Sequence, residues 1–425
     1  MKYPNLLVIT SVDFINNVGA TENTLRSFLS SWNVDNLHLL VCKDFNADYT
    51  HDGNSIFTLG HDEISIASFL IQGNRTAKSN LGVQDQSKTG NSEKNFLKSI
   101  KSSIKTSLKD LYQLLPFRFD SKLKQWLDAF QPEVIYFCAA SYRDFLLCQK
   151  IVERYRIPVI PHFLDDWPNI RISAHDGDSF YKKRFRNLFS SVLRHAPFGL
   201  CISELMAQTY ANRYSKKFFP LMNSVASEAC RSCNVPKKIK KYLYAGSLYL
   251  RRYESLITIC DELASMEISD LEFNIYAPEN QWAELSSKFD KYSFVHYGGF
   301  LTAKQLEHAI SNTDIIVFVE SFDKSVLEFS RLSLSTRVPE FLSSGKPILA
   351  MGPSEQGAIQ YLDINNVAFV IKDFSDIKQV FMDLQDTDVV REKLENAKRL
   401  FLLNHTTQAQ QARFYNWIND AIAHS

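Results

Sequence analysis

"STRVPEFLSSGKPILA", residues 335–350, joins a charged, proline-marked helix start to a Gly-Lys-Pro turn and an apolar strand. Pro339 suits a first helical turn, where its missing N–H costs nothing. The helix dipole favours Glu340 beside it. A carboxylate there, aimed at the mouth of a sheet, can accept two hydroxyl hydrogen bonds, as from a ribose. Ser335 and Thr336 add hydroxyls, and Arg337 adds a cation suited to phosphate oxygens. The strands on either side, "DIIVFVE" (314–320) and "PILAM" (347–351), are continuous apolar runs. That is the pattern of parallel strands covered on both faces.

The same alternation extends outward. A second-half series starts at "YLYAGSL" (242–248). It continues through helix 253–266, strand 272–277, helix 280–289, strand 293–299, helix 303–311, the stretch above, helix 355–362, strand 367–371 and helices 375–384 and 389–404. The first half repeats the rhythm. Strands are expected at 6–10, 37–42, 55–60, 133–139, 158–164 and 198–203, and helices at 20–32, 142–156 and 179–195. Alternating β and α implies an α/β protein with two doubly wound parallel sheets. The polar, basic segment "SEACRSCNVPKKIKK" (227–241) reads as the linker. The expected division is 1–225, a linker at 226–241, 242–405, and a last helix in 406–425 that packs back on the first domain. Ligands of such sheets bind at the carboxyl ends of the strands, so the cleft between the domains is the expected site.

The bulk numbers agree with two ordinary domains. The chain has 425 residues, 45% hydrophobic and 22% charged. A net charge of +1 gives no global field for nucleic acid. Seven cysteines, most of them in apolar runs, suit free thiols of a reducing compartment. Cys230 and Cys233 form a single C-x-x-C with no second pair to complete a zinc site. No apolar run approaches a membrane span, so a cytoplasmic protein is expected.

One segment departs from the pattern. Residues 72–95 are polar and read as a flexible loop. They lead into 96–117, where Phe96, Ile100, Ile104, Leu108 and Leu115 share a helical face beside a stripe of lysines. Two readings stand: a surface helix with a solvated lysine face, or a basic amphipathic helix lying on an anionic membrane surface.

Several chemistries lack their motifs. There is no G-x-G-x-x-G after a first strand, no P-loop and no G-x-S-x-G elbow. Three further strand-end loops do carry usable groups. Gly19 in "NVGATENT" (17–24) precedes a helix start, where free N–H groups favour an anion; a plain turn is the alternative. Asp165 and Asp166 in "HFLDDWPNIR" (162–171) could bind sugar hydroxyls or steady positive charge, or cap the next segment. Gly246 in "YAGSLYLRRYESL" (244–256) precedes Arg251 and Arg252, whose forks suit phosphate. A cation at a helix start opposes the dipole, which favours a ligand there.

On these residues a resemblance appears. "STRVPEFLSSGKPILA" with its preceding strand resembles the signature of the GT-B-fold glycosyltransferases of the family 4 type, which use nucleotide sugars. "YAGSLYLRRYESL" is similar to their glycine-to-arginine loop, and "FVHYGGFLTAKQLEHAISNTDIIVFV" to the segment that follows. "GLCISELMAQTYANRYSKKFFPLMNSV" is similar to their hinge region, ending at Asn223. The likeness covers most of 130–372.

The resemblance implies two Rossmann-like domains around a cleft, with Glu340 on the nucleotide ribose and Arg252 on the diphosphate, Arg251 its neighbour. Ser335, Thr336 and Arg337 would lie near the phosphates, and Gly298, Gly299 and Phe300 would border the base. Gly19 would face donor and acceptor. It implies retention of configuration, no cofactor and no metal. Asp165 or Asp166 would orient hydroxyls. The partners would be a nucleotide sugar and a glycan or lipid-linked acceptor, with a role in surface polysaccharide assembly.

Two positions depart from the family's pattern. Leu332 stands where many relatives carry the first of two glutamates, and Ser247 replaces a usual arginine. Glu320 and Glu328 have the family's seven-residue gap, but no Gly-Lys-Pro turn follows Glu328. Glu320 ends a strand at the cleft and is a candidate for the donor sugar. The alternatives are an inverting GT-B transferase and a non-catalytic nucleotide-sugar-binding scaffold.

Overall fold

The structure is a computed structural model. It describes residues 3–12, 14–15, 19–42, 55–59, 114, 119, 121–173, 179–233, 235–266 and 268–423. The expected loop at 72–95 and the amphipathic helix at 96–117 lie outside the described residues, apart from Leu114.

The first sheet is parallel throughout. Its strands are β1 (Leu6–Thr10), β2 (Leu37–Val41), β3 (Ile56–Thr58), β4 (Val134–Cys138), β5 (Val159–Phe163), β6 (Gly199–Cys201) and β7 (Phe218–Pro220). They lie in the order β3-β2-β1-β4-β5-β6-β7, and Leu6 pairs with Leu37 on one side and Val134 on the other. Every residue of β1, β4 and β5 is buried, because helices cover both faces. These are α1 (Ala20–Leu29), α2 (Ser121–Phe130), α3 (Tyr142–Tyr155), α4 (Trp167–Arg171), α5 (Phe180–Arg194) and α6 (Glu204–Tyr214). Ser141 and Asp144 close a capping box at the start of α3.

The second sheet repeats the design. Its strands are β8 (Lys241–Ala245), β9 (Glu272–Tyr276), β10 (Val295–Tyr297), β11 (Ile315–Val319), β12 (Ile348–Met351) and β13 (Phe369–Ile371). The order is β10-β9-β8-β11-β12-β13. Strand order reverses between β8 and β11, so their carboxyl ends form the crevice where open α/β sheets bind ligands. The helices here are α7 (Arg252–Ser265), α8 (Glu279–Leu285), α9 (Ala303–Ser311), α10 (Lys324–Ser330), α11 (Val338–Ser343), α12 (Gly357–Ile364), α13 (Ile377–Asp383) and α14 (Thr387–Asn404).

The last helix, α15 (Thr407–Ala423), packs on α1. Its Phe414 meets Phe28 and Tyr136, each at 5.3 Å between ring centroids, and fills the first domain's core. The chain therefore crosses between the domains twice. The crossings bond to each other: Val225 N–H donates to the His405 carbonyl (3.0 Å) and Thr407 N–H to the Val225 carbonyl (2.9 Å).

Helices α6 and α10 and strand β7 have weak sequence signals, whereas α2, absent from the expected elements, carries Leu123, Leu127 and Phe130 at helical spacing. In α6 only Met206, Ala207 and Tyr210 are buried, and in α10 only Val326. A helix fixed by so few anchors shows little apolar periodicity.

Candidate functional site

A cavity of about 310 Å³ opens at the carboxyl ends of β8, β9 and β11, at the switch point of the second sheet. Gly246, Arg252, Phe300, Glu320, Ser335, Thr336 and Arg337 all line it. These candidates come from four separate loops, and the parallel topology brings them to one crevice. Gly299, Glu340, Arg251, Gly19, Asp165 and Asp166 do not line it.

The β8–α7 loop delivers Arg252. Leu250 and Arg251 both adopt left-handed backbone, with φ of 58° and 55°. Such geometry costs roughly 1–2 kcal/mol per non-glycine residue. The surroundings hold it: buried Gln281 accepts hydrogen bonds from Leu248 N–H (2.7 Å) and Ser247 Oγ (3.0 Å). Tyr244 Oη donates to the Ser247 carbonyl at 2.6 Å. Arg251 turns away from the cavity and clasps Glu254 and Asp323. Arg252, first residue of α7, turns in.

Arg252 meets Glu320, the residue after β11. Its Nε lies 3.0 Å and its Nη2 2.9 Å from Oε2, with a third contact of 3.1 Å to Oε1. Glu320 is only 3% exposed. Burial pushes its carboxyl above the usual carboxylate range, while Arg252 pulls it back. Burial works against the arginine's charge too, but Glu320 and Tyr244 keep its pKa above the ordinary value. Glu320 reaches the cavity wall, but its carboxylate is spent on Arg252 rather than open to a sugar.

The 335–350 stretch folds as a short loop, α11, a turn and β12. Arg337 is the N-cap residue of α11, with Pro339 in the first turn. Its Nη1 donates to Glu340 Oε2 at 2.7 Å, and both side chains are about a third exposed. These two candidates bond to each other. The following turn is pinned from behind. Gly345 has φ +69°, and a Cβ there would stand 2.4 Å from the Ser232 carbonyl oxygen. Arg231 N–H donates to the Ser343 carbonyl at 2.8 Å. Lys346 Nζ donates to the carbonyls of Ser311 (3.1 Å) and Thr313 (2.6 Å). The Gly-Lys-Pro turn therefore holds α11 and its glutamate against the linker.

Across the crevice, Gly298 packs flat on Tyr276: a Cβ would come within 2.0 Å of its ring. Gly299 has φ +83° and accepts a hydrogen bond from Ala277 N–H at 3.1 Å. Phe300 follows, 70% exposed on the cavity rim. Tyr276 and Gln281 were missed in the sequence, since an aromatic in a strand and a polar residue in a helix carry no motif.

The first domain separates its two aspartates. Asp166 is buried and accepts from Tyr210 Oη (2.8 Å), Arg213 Nη1 (2.6 Å) and Arg213 Nη2 (3.0 Å). Those bonds fix the start of α4 to α6 and engage both oxygens of the buried carboxylate. Asp165 is exposed, with Trp167 N–H on its Oδ1 at 3.1 Å. Desolvation by the surrounding protein pushes its carboxyl up, despite the Trp167 N–H and the Arg171 charge. Gly19 is the N-cap of α1 with extended backbone (φ −170°), and the Glu22 carboxylate folds over it. The Glu22 carboxylate stands beside that helix start, although no side chain caps it.

All seven cysteines are free thiols. Among the described residues, no group of three or more His, Cys, Asp or Glu side chains could hold a metal ion. No described helix is long and apolar enough to cross a membrane.

No family model and no curated protein matches the chain. Solved structures do. Anabaena HepE in complex with UDP superimposes with a TM-score of 0.58 at 13% identity, covering 98% of this chain and 100% of that one. HepE with UDP-glucose gives 0.56 at 12% identity, covering 98% and 99%. The lipopolysaccharide outer core galactosyltransferase WaaB, in its apo form, gives 0.54 at 12% identity, again covering 98% and 99%. Likeness of this extent at such low identity is likeness of fold. The chain has the GT-B fold, two Rossmann-like domains joined across a crevice.

Proposed function

We propose that the protein is a glycosyltransferase that moves a sugar from a nucleotide diphosphate sugar to a glycan or lipid-linked acceptor. The observation that carries this reading is the convergence of Arg252, Arg337, Ser335, Thr336 and Gly246 on one cavity at the switch point of the second sheet. Two cations, two hydroxyls and a side-chain-free backbone are what a diphosphate needs. Phe300 on the rim offers a face to a base. The GT-B fold supports the reading, as does the similarity to HepE solved with UDP and UDP-glucose.

In this reading residues 1–225 hold the acceptor, 226–241 link the domains, 242–405 hold the donor and 406–425 return to the first domain. Arg252, oriented by Glu320, and Arg337 stabilise the departing diphosphate. Glu340 exchanges Arg337 for the ribose hydroxyls. Asp165, not Asp166, orients acceptor or donor hydroxyls. The acceptor oxygen bonds to the anomeric carbon on the face the diphosphate leaves, and its proton passes to a diphosphate oxygen. Configuration is retained, and neither a cofactor nor a metal takes part. The work is cytoplasmic, at the inner face of a membrane, in surface polysaccharide assembly.

A second reading, a nucleotide-sugar-binding scaffold without turnover, is favoured by one observation. Leu332, where relatives carry a glutamate, is 1% exposed and packed in the core. A thermal-shift screen of UDP, GDP and ADP sugars tests the donor site, since a ligand of the folded state raises its melting point. One nucleotide should raise it, and Arg252→Ala should abolish the rise. Release of nucleotide diphosphate in the presence of acceptor separates enzyme from scaffold, and the product anomer by NMR separates retention from inversion. No shift with any nucleotide sinks both readings.

A further inference from the structure

The first domain carries a cationic lip beside Asp165 that the donor-site reading does not use. Helix α5 buries Phe185, Leu188, Phe189, Val192 and Leu193 against the domain. Its other side and its N-terminal end are basic. From 167 to 195 the sequence has six cations, Arg171, Lys182, Lys183, Arg184, Arg186 and Arg194, against two carboxylates, Asp176 and Asp178. Between Ser179 and His195 there is no carboxylate at all. Apolar side chains stand out among these charges: Phe180 is 66% exposed and Ile170 37%. The Arg184 guanidinium lies over the Phe180 ring, 5.4 Å from its centroid. Arg186 Nη1 donates to the Ile172 carbonyl (3.0 Å) and Arg171 Nη1 to the Ala140 carbonyl (2.9 Å). These bonds tie the end of α4 to the second turn of α5 and to the loop after β4. Asp165, two residues before α4, lies at the root of that lip.

We propose that this edge docks on an anionic lipid surface and presents a membrane-anchored acceptor to Asp165. The inference rests on the acceptor side of the function proposed above and names the acceptor's carrier. Exposed phenylalanine ringed by lysine and arginine is the composition of an interfacial anchor: the ring enters the headgroup boundary and the cations stay with the phosphates. A soluble polyanion would use the cations but gives no reason for a two-thirds exposed ring. Helices of a parallel α/β sheet run opposite to its strands, so the start of α5 lies at the carboxyl ends of β4 and β5. That is the cleft side. An acceptor held in a bilayer at this edge reaches the cleft without leaving the membrane.

The test is co-sedimentation of the full chain with vesicles containing about three parts in ten phosphatidylglycerol in phosphatidylcholine. The wild type should bind them and ignore pure phosphatidylcholine, and high salt should release it. Lys183→Glu/Arg184→Glu should weaken binding by more than about twenty-five-fold, since each lost interfacial cation counts roughly fivefold. Phe180→Ser should weaken it about tenfold. Both variants change exposed side chains and should keep the wild-type melting temperature and nucleotide shift. The idea is overturned if the wild type does not bind anionic vesicles, or if the charge-reversed variant binds as well as wild type. Binding to dextran sulfate without binding to vesicles overturns it equally. Vesicle binding without any nucleotide shift leaves the docking edge standing and removes the donor-site reading.

Discussion

Arg252 holds the carboxylate of Glu320 in a two-pronged grip, with three N···O contacts between 2.9 and 3.1 Å. The pair ties the first loop of the second domain to the end of its central strand. It also leaves the guanidinium about a fifth exposed at the cavity wall. One arginine thus serves folding and ligand binding, and the two roles separate in variants.

Arg252→Met leaves a buried carboxylate alone, which costs about 3–5 kcal/mol. Adding Glu320→Leu removes that carboxylate and should recover most of the stability, with nucleotide binding still absent. The single variant also gains a pH signature. Without Arg252 the Glu320 carboxyl rises further, so the native state binds a proton the unfolded chain does not. Its deficit should therefore shrink as pH falls from 7 towards 5. Urea melts at several pH values, with nucleotide titrations alongside, check all three outcomes.

The two adjacent aspartates should behave oppositely. Asp166→Asn breaks the buried grip on Arg213 and Tyr210 and should cost roughly 3 kcal/mol of stability. Asp165→Asn removes an exposed charge, should leave the melting temperature within a degree or two, and should lower sugar transfer. Because partial burial raises the Asp165 carboxyl, transfer that needs its charged form should rise with pH through that elevated pKa. Asp165→Asn should flatten this limb. Transfer rates and melting temperatures for the pair decide the assignment.

The legibility of the chain follows from where each signal lives. Continuous apolar strands such as "LLVIT" and "IIVFV" reveal the parallel sheets, because burial on both faces leaves no polar alternation. The crevice follows from topology, so Gly246, Arg252 and Ser335–Arg337 could be found as strand-end residues. Pairing could not. Nothing in "VESFDK" announces that Glu320 belongs to Arg252, 68 positions earlier, or that Asp166 belongs to Arg213, 47 positions later. Asp165 and Asp166 look equivalent in sequence, and only the turn into α4 decides which one is buried. Gly19 reads as a helix start, which it is, but nothing in "NVGATENT" announces that the Glu22 carboxylate lies beside it.

Gly345 should tolerate no side chain. Its left-handed backbone costs an alanine about 1–3 kcal/mol, and the Ser232 carbonyl occupies the Cβ position. Gly345→Ala should lower the melting temperature and, by shifting α11 from the linker, weaken nucleotide binding. Gly246→Ala is the contrast. Its backbone lies outside the left-handed region, and an added Cβ meets a Tyr244 side chain at 2.9 Å rather than a backbone carbonyl at 2.4 Å, so it should cost less stability. Calorimetry on the two variants measures the difference.

The domain crossing should be acid-sensitive. His405 is fully buried, its Nδ1 2.8 Å from the Asn223 carbonyl and its Nε2 2.8 Å from Tyr361 Oη. A carbonyl only accepts, so Nδ1 carries the proton and Nε2 accepts from the tyrosine. Burial lowers the His405 pKa to about 4, against the Asn223 carbonyl and with help from Arg413. The unfolded chain then binds the extra proton first. Stability is lost as pH falls from 6.5 towards 4, by on the order of 3 kcal/mol. His405→Gln should keep both neighbours bonded and remove most of that acid limb in pH-dependent urea melts.

Glu340 should read the sugar of the nucleotide rather than its phosphates. Its Oε2 accepts from Arg337 at 2.7 Å, and a ribose would compete for that carboxylate. A charged acceptor facing two hydroxyls contributes about 1.5–3 kcal/mol per hydrogen bond. Wild type should therefore prefer a ribonucleotide over its 2′-deoxy counterpart by about tenfold or more, and Glu340→Ala should lose the preference. Arg337→Ala should weaken both nucleotides alike, because its proposed partner is phosphate. Calorimetric titration of the two nucleotides against the three proteins gives the full cycle. A preference that survives in Glu340→Ala would move the ribose contact to another residue.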